Sequence, residues 1–169
     1  NLDETLGSRR FHIGQIRPPR PVAGPTAWLD WTQTLAAERA AAGTTADWEH
    51  KLAAAPVFLA NFLYPGRKLT GLSGVMGGNI PPRMGLASSS AVVITMMLAI
   101  MEINGIAVET TDLVNHCGVA EWYVGTRGGS GDHAGILCGK RGHLVHVRTI
   151  PELVIARHVP FPDSHRLVL

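Results

Sequence analysis

Apolar residues recur along this chain at two kinds of spacing, and together they outline an order of elements. Residues 91–103 are apolar on nearly every side of a helical wheel until Glu102. That pattern predicts a deeply buried helix, since a run of about thirteen residues is too short to span a bilayer. Residues 46–63 carry a single stripe, Trp48, Leu52, Ala55 and Leu59, at helical intervals, and Pro56 should bend or interrupt it. A third helix is expected from Thr110, Thr111 or Asp112 to about Val124, with Leu113, Cys117, Ala120 and Val124 spaced four, three and four apart. Residues 26–42 also read as helix, with Thr26 available as a cap and Trp28 and Leu35 followed by alanines. Strands are expected in residues 1–17, where Phe11, Ile13 and Ile16 alternate with polar neighbours, and in 69–76, 136–147 and 153–155. Residues 167–169 read as the start of another. Prolines at 18–21 and Gly24-Pro25, the break at Gly43-Thr44-Thr45, the turn at Pro65-Gly66 and the C-cap at Asn104-Gly105 separate these elements. The mixture predicts an α+β fold.

The junction ahead of the apolar run is chemically suggestive. A Gly- and Pro-rich loop, Gly77 to Gly85, gives way to Ser88, Ser89 and Ser90, and the serines open the helix. Serine is a favoured N-cap because its hydroxyl accepts from an orphan amide of the first turn. A loop of little side-chain bulk on that positively polarised end can wrap an anion, or it can simply shape a turn. It lacks the Gly-Lys-Ser/Thr ending of a P-loop and the spacing of a dinucleotide fingerprint.

A second glycine-rich stretch, residues 125–135, holds five glycines in eleven positions and a single carboxylate, Asp132. It reads either as close backbone approach to a ligand or as a mobile turn, with Asp132 either a base or a turn-former. Just before it, Glu121 lies roughly 80° around the helical wheel from Leu113. A carboxylate in a last helical turn meets negative partial charge and needs a cation or donor; Arg127 is the residue-level candidate. His143 and His146, three apart, fall on opposite strand faces, which argues against a shared metal.

Composition narrows the class. The chain of 169 residues can hold one sizeable core, with 46% hydrophobic residues and a net charge of +2. The mean hydropathy of +0.13 fits a globular protein. Its 15 basic residues are spread along the chain, which gives no support for nucleic-acid binding, and no apolar run reaches membrane length. The two cysteines, Cys117 and Cys138, read as reduced thiols in a cytoplasmic protein without a signal peptide. The chain begins without Met and ends on an apolar run, as an excised piece would.

Asn79-Ile80-Pro81 followed by Gly85-Leu86-Ala87-Ser88-Ser89-Ser90-Ala91 resembles the ATP-binding motif of the GHMP kinases, Pro-x-x-x-Gly-Leu-Gly/Ser-Ser-Ser-Ala, with Ala87 at a position usually Gly or Ser. About forty residues on, Ala120-Glu121, Gly125, Gly129 and Asp132 match in register the galactokinase stretch Ala-Glu-x-x-x-Gly-x-x-x-Gly-x-Met-Asp-Gln. Gly131 stands there in place of Met and His133 in place of Gln. The stretch Trp48-x-x-Lys51-x-x-Ala54-Ala55 is a loose echo of a family helix.

The resemblance implies a fold and a chemistry. The fold is the GHMP kinase N-terminal domain, akin to the second domain of ribosomal protein S5, here one domain over residues 1–169 and incomplete at both ends. The family's N-terminal Pro-Gly-Arg-Val-Asn-Leu-x-Gly-Glu-His stretch and the glycine-rich motif of its C-terminal domain are missing from this chain. The activity implied is phosphoryl transfer from Mg·ATP to a hydroxyl of a small molecule, most simply a sugar. By the same resemblance Asn79, Pro81, Gly85, Leu86, Ala87, Ser88, Ser89 and Ser90 hold nucleotide, and Ser89 and Glu121 ligate Mg²⁺. Asp132 accepts or orients the acceptor proton, and Arg127 and Gly129 are candidate phosphate or substrate contacts. The departures at Gly131 and His133 also admit a non-catalytic sugar- or nucleotide-binding relative.

Overall fold

A computed structural model of the protein describes residues 10–44, 48–82, 84–149 and 153–166. In chain order it contains α1 (Pro25–Ala41), α2 (Trp48–Phe58), α3 (Ser88–Ile103), α4 (Thr110–Glu121), α5 (Gly131–Cys138), β1 (His143–Arg148) and β2 (Val154–Pro160). The α+β class is as expected, but helices dominate. The sheet among the described residues is one antiparallel pair, with a register irregularity between His146 and Val147.

The core lies where α2, α3 and α4 meet beneath α1. α2 is buried at every position from Leu52 to Phe58, and Leu59 after it, so the single stripe read from the sequence understates it; Trp48, assigned to that stripe, is exposed. Pro56 lies inside the helix, and directly behind it the chain loosens into a π-turn over Leu59–Leu63. Proline removes one i→i−4 bond, and a wider turn absorbs the mismatch. The side chain of Asn61 then donates to the carbonyls of Val57 at 2.9 Å and Ile16 at 3.1 Å.

Trp28 of α1 is fully buried and meets Trp31, Phe58 and Phe62 edge to face, with ring centroids 5.3 to 5.9 Å apart. Its indole donates to the Val119 carbonyl at 2.9 Å, near the point where α4 tightens into a 3-10 turn over Trp122–Val124. Such helix ends leave carbonyls in need of partners. Arg39 does the same for the Tyr123 carbonyl at 2.7 Å while its guanidinium covers the Tyr123 ring.

Four sequence expectations change. Residues 10–17 form a 3-10 turn at Ile13–Gln15 and no strand, because Phe11 and Ile16 both pack on the core; the rest of that expected strand lies outside the described residues, as do residues 167–169. Residues 69–76 form no strand. The chain from 70 to 86 is exposed throughout its described residues, and its one firm anchor is Asn104, whose side-chain amide accepts from Thr70 N at 2.7 Å and donates to Thr70 O at 3.0 Å. α3 is not buried all round: Thr95, Leu98 and Glu102 face solvent along one side. Finally, the glycine-rich loop closes at Ser130, because residues 131–138 are helical; the strand expected from 136 starts only at His143, and the one expected at 153–155 is the start of the longer β2.

Candidate active site

Four helices line one cleft of about 370 Å³. Ser89 and Ser90 come from the first turn of α3, Glu121 from the last residue of α4, and Asp132 and His133 from the first turn of α5; Lys51, Trp122, Thr126 and Gly129 complete much of the wall. α5 reaches α4 closely because residue 118 is glycine: a Cβ there would stand 2.5 Å from Ser130 Oγ.

The serines do not cap α3. The N-cap is Ala87, in the left-handed region at φ 54°, with no side-chain cap bond. An alanine there is strained where glycine would be relaxed, which is the physical sense of a small residue at this position. The hydroxyls are drawn across the cleft, where a carboxylate is a stronger acceptor than the helix offers. Ser89 Oγ donates to Glu121 Oε1, and Ser90 Oγ donates to Oε2 at 2.8 Å.

Glu121 is almost wholly buried, and burial alone would push its pKa up. His133 and the two serine hydroxyls outweigh that and hold its carboxyl below the usual carboxylate value. These are the partners that its place on the α4 C-terminus demands. Arg127, the partner suggested by spacing, instead lines a separate recess with Thr32, Gln33 and Gly125. His133 Nε2 stands 3.0 Å from Glu121 Oε2, yet neither ring nitrogen makes an aligned hydrogen bond. Beneath the carboxylate, burial and the charge of Glu121 push the Cys117 thiol up to about 12.

Ser89, Ser90, Glu121, Gly129 and Asp132 are therefore brought together, with Asp132 exposed in the open cleft. Asn79, Pro81, Gly85, Leu86, Ala87 and Ser88 are not among its walls; they lead into the α3 N-terminus, exposed up to Leu86 and half-buried at Ala87 and Ser88. Lys51 and His133 are the ionisable wall residues to which sequence reasoning gave no role. The signal for Lys51 was its place at the edge of α2's buried stretch, immediately before Leu52. His133 was visible only as a departure from a motif, because the loop reading hid its place on an inward helix face. Among the described residues no three His, Cys, Asp or Glu side chains are placed to hold a metal ion. One buried carboxylate flanked by hydroxyls nevertheless fits a hard divalent cation that keeps water and phosphate oxygens as its other ligands.

Residues 51–140, just over half of the chain, match the family model described as GHMP kinases N terminal domain. The chain belongs to that family. It is 33% identical to the galactokinase of Saccharomyces cerevisiae over 98 residues, 56% of this chain and 19% of that protein. It is 36% identical to the galactokinase of Schizosaccharomyces pombe over 91 residues, 53% of this chain and 18% of that protein. The galactokinase of Candida maltosa is 37% identical over 78 residues, 46% of this chain and 36% of that protein. The chain thus spans between about a fifth and a third of these relatives. No solved structure matches it.

Proposed function

We propose that this chain supplies part of the active site of an ATP-dependent sugar kinase that passes the terminal phosphoryl group of Mg·ATP to a substrate hydroxyl, as a galactokinase does. The observation that carries the reading is the convergence of the α3 serines, Glu121 and Asp132 on one cleft, in the chain order of the family motifs. Phosphoryl transfer asks for positioning and charge neutralisation more than for covalent chemistry. The amides of the α3 N-terminus would receive the nucleotide phosphates, with Asn79, Pro81, Gly85, Leu86, Ala87 and Ser88 just ahead of them, and Lys51 adds a positive charge on the cleft wall. Ser89 and Glu121 would hold Mg²⁺, which when bound supplies charge neutralisation at the phosphate oxygens. Asp132, exposed and free to turn, orients the acceptor hydroxyl and takes its proton. A cytoplasmic location belongs to the same proposal, since it provides Mg·ATP and keeps Cys117 and Cys138 as thiols.

A second reading has an observation of its own. His133 already stands against Glu121, where a metal would bind, which suits a relative that binds sugar or nucleotide without turnover. Calorimetric titration of the intact protein with Mg·ATP, followed by an assay for phosphoryl transfer to galactose and other hexoses, separates the cases. Binding with transfer supports the kinase; binding without transfer to any acceptor supports the regulatory relative. No binding at millimolar Mg·ATP would sink the kinase, and no binding of either Mg·ATP or a hexose would sink both.

A further inference from the structure

The recess that holds Arg127 has a volume of about 110 Å³. Thr32, Gln33 and Ala36 of α1 line it, together with Trp122, Gly125 and Arg127 from the segment after α4. No carboxylate is among these walls, and Arg127 has no ion pair or hydrogen bond among the described residues. The walls instead carry side-chain donors: the Arg127 guanidinium, the Gln33 amide and the Trp122 indole N–H. The indole stands 3.5 Å from the Gly128 carbonyl, at the outer limit of a hydrogen bond. Thr32 adds no donor, because its hydroxyl already donates to the Leu29 carbonyl at 3.0 Å. Glycine shapes the recess. Gly125 has φ 93°, and a Cβ there would stand 3.2 Å from Ala36 Cβ, so its absence lets the chain lie against α1.

We infer that this recess is a binding site for a tetrahedral oxyanion, phosphate or sulfate, with Arg127 as its principal donor, separate from the nucleotide cleft. Donors without an acceptor select an anion, and a planar guanidinium pairs two oxygens of a phosphate or sulfate at once. Size agrees with charge. A water molecule takes about 30 Å³ in the liquid, so the recess replaces about three or four of them. A tetrahedral oxyanion sets four oxygens in a space of that order, whereas a hexose or a nucleoside is too large for it. Trp122 is a wall of the cleft as well as of the recess, so its indole is placed to report an anion bound beside it. The inference stands apart from the kinase reading, since none of the proposed phosphoryl-transfer residues lines the recess.

The test needs no turnover. Inorganic phosphate, sulfate and methyl phosphate are titrated separately into the intact protein at constant ionic strength. Binding is read by calorimetry and by the indole N–H signals of protein labelled with nitrogen-15 in tryptophan, with Trp122→Phe identifying the signal of Trp122. The wild type should bind phosphate or sulfate with a Kd of about a millimolar or tighter, and the Trp122 signal should shift on saturation. Arg127→Gln should weaken binding by about tenfold or more, the worth of a charge-assisted hydrogen bond. Gln33→Glu sets a carboxylate among the same walls at an exposed position of α1 and should do the same, which decides the matter even where Arg127→Gln does not fold. Methyl phosphate bound as tightly as phosphate would support a monoester as the natural occupant, and weaker binding would support the free ion. No saturable binding of phosphate or sulfate, an unmoved Trp122 signal, an unchanged affinity in a folded variant, or displacement of bound phosphate by Mg·ATP would overturn the inference. Phosphate binding in a protein that ignores ATP would leave it standing and remove the kinase reading.

Discussion

The two carboxylates of the cleft occupy opposite environments, and their chemistry divides accordingly. Glu121 is buried among two hydroxyls and an imidazole, held as an anion. Asp132 lines the same cleft but is exposed. A buried, hydrogen-bonded anion suits holding a cation, and an exposed one suits meeting a substrate. Glu121→Gln should therefore weaken the affinity for Mg²⁺ in the presence of ATP as well as the rate, by about ten- to a hundredfold in affinity. Equal Mg²⁺ affinity in the variant, measured by the metal dependence of nucleotide binding, would remove Glu121 from the cation site. Cys117 offers a test of the same environment. With its thiol pushed up to about 12, it should resist iodoacetamide at pH 8 in the folded protein and react once urea unfolds it. Mass spectrometry that finds Cys117 modified under native conditions would show that the charge and burial around it are misjudged.

At the scale of elements, α5 is the informative case. Residues 125–135 look like a loop because glycine dominates them, yet Gly131 and Gly135 are helical. A Cβ at either would meet nothing within 4 Å, so neither glycine is there for close approach. Gly135→Ala should then stabilise the protein by about 0.5–1 kcal/mol in urea denaturation, the usual helix-interior difference. A loss of stability would mean that the segment leaves the helical state. Gly125 is the contrary case: its φ is 93°, and a Cβ would stand 3.2 Å from Ala36 Cβ on α1. α4 was legible because apolar spacing records it directly, through Leu113, Cys117 and Ala120, whereas α3 showed as an unbroken apolar run and α1 as alanine-rich composition. What stayed hidden depended on distant partners. The serines read as caps until Glu121, more than thirty residues away, drew their hydroxyls across the cleft. Residues 69–76 read as a strand from composition, but pairing is a tertiary fact, and Thr70 finds only the side chain of Asn104.

For the molecule as a whole, Val75 and Met84 ahead of α3 are about 76% and 68% exposed, and Leu98 of α3 also faces solvent. Family membership and the candidate carboxylates were legible in two short motifs; the way the cleft is closed by Lys51 and His133 was not, since no local pattern announces a wall residue. A pH dependence follows from His116, half-buried on α4 against Phe58, where burial lowers its pKa and Asp112 only partly offsets this. Its proton is bound more weakly in the folded state, so the contribution to stability is intact above the ordinary value of 6.5 and declines as pH falls below it. His116→Gln should flatten that decline in urea titrations between pH 7 and 5, and an unchanged slope would assign it to other groups. The central claim, that this cleft performs phosphoryl transfer with Asp132 at the acceptor, is tested most directly by Asp132→Asn in the intact protein. Turnover of Mg·ATP and the accepted sugar should fall by about two to four decades, the usual worth of a positioned acid–base group, while the fold and nucleotide affinity stay near wild type. Near-normal turnover in Asp132→Asn would contradict the account.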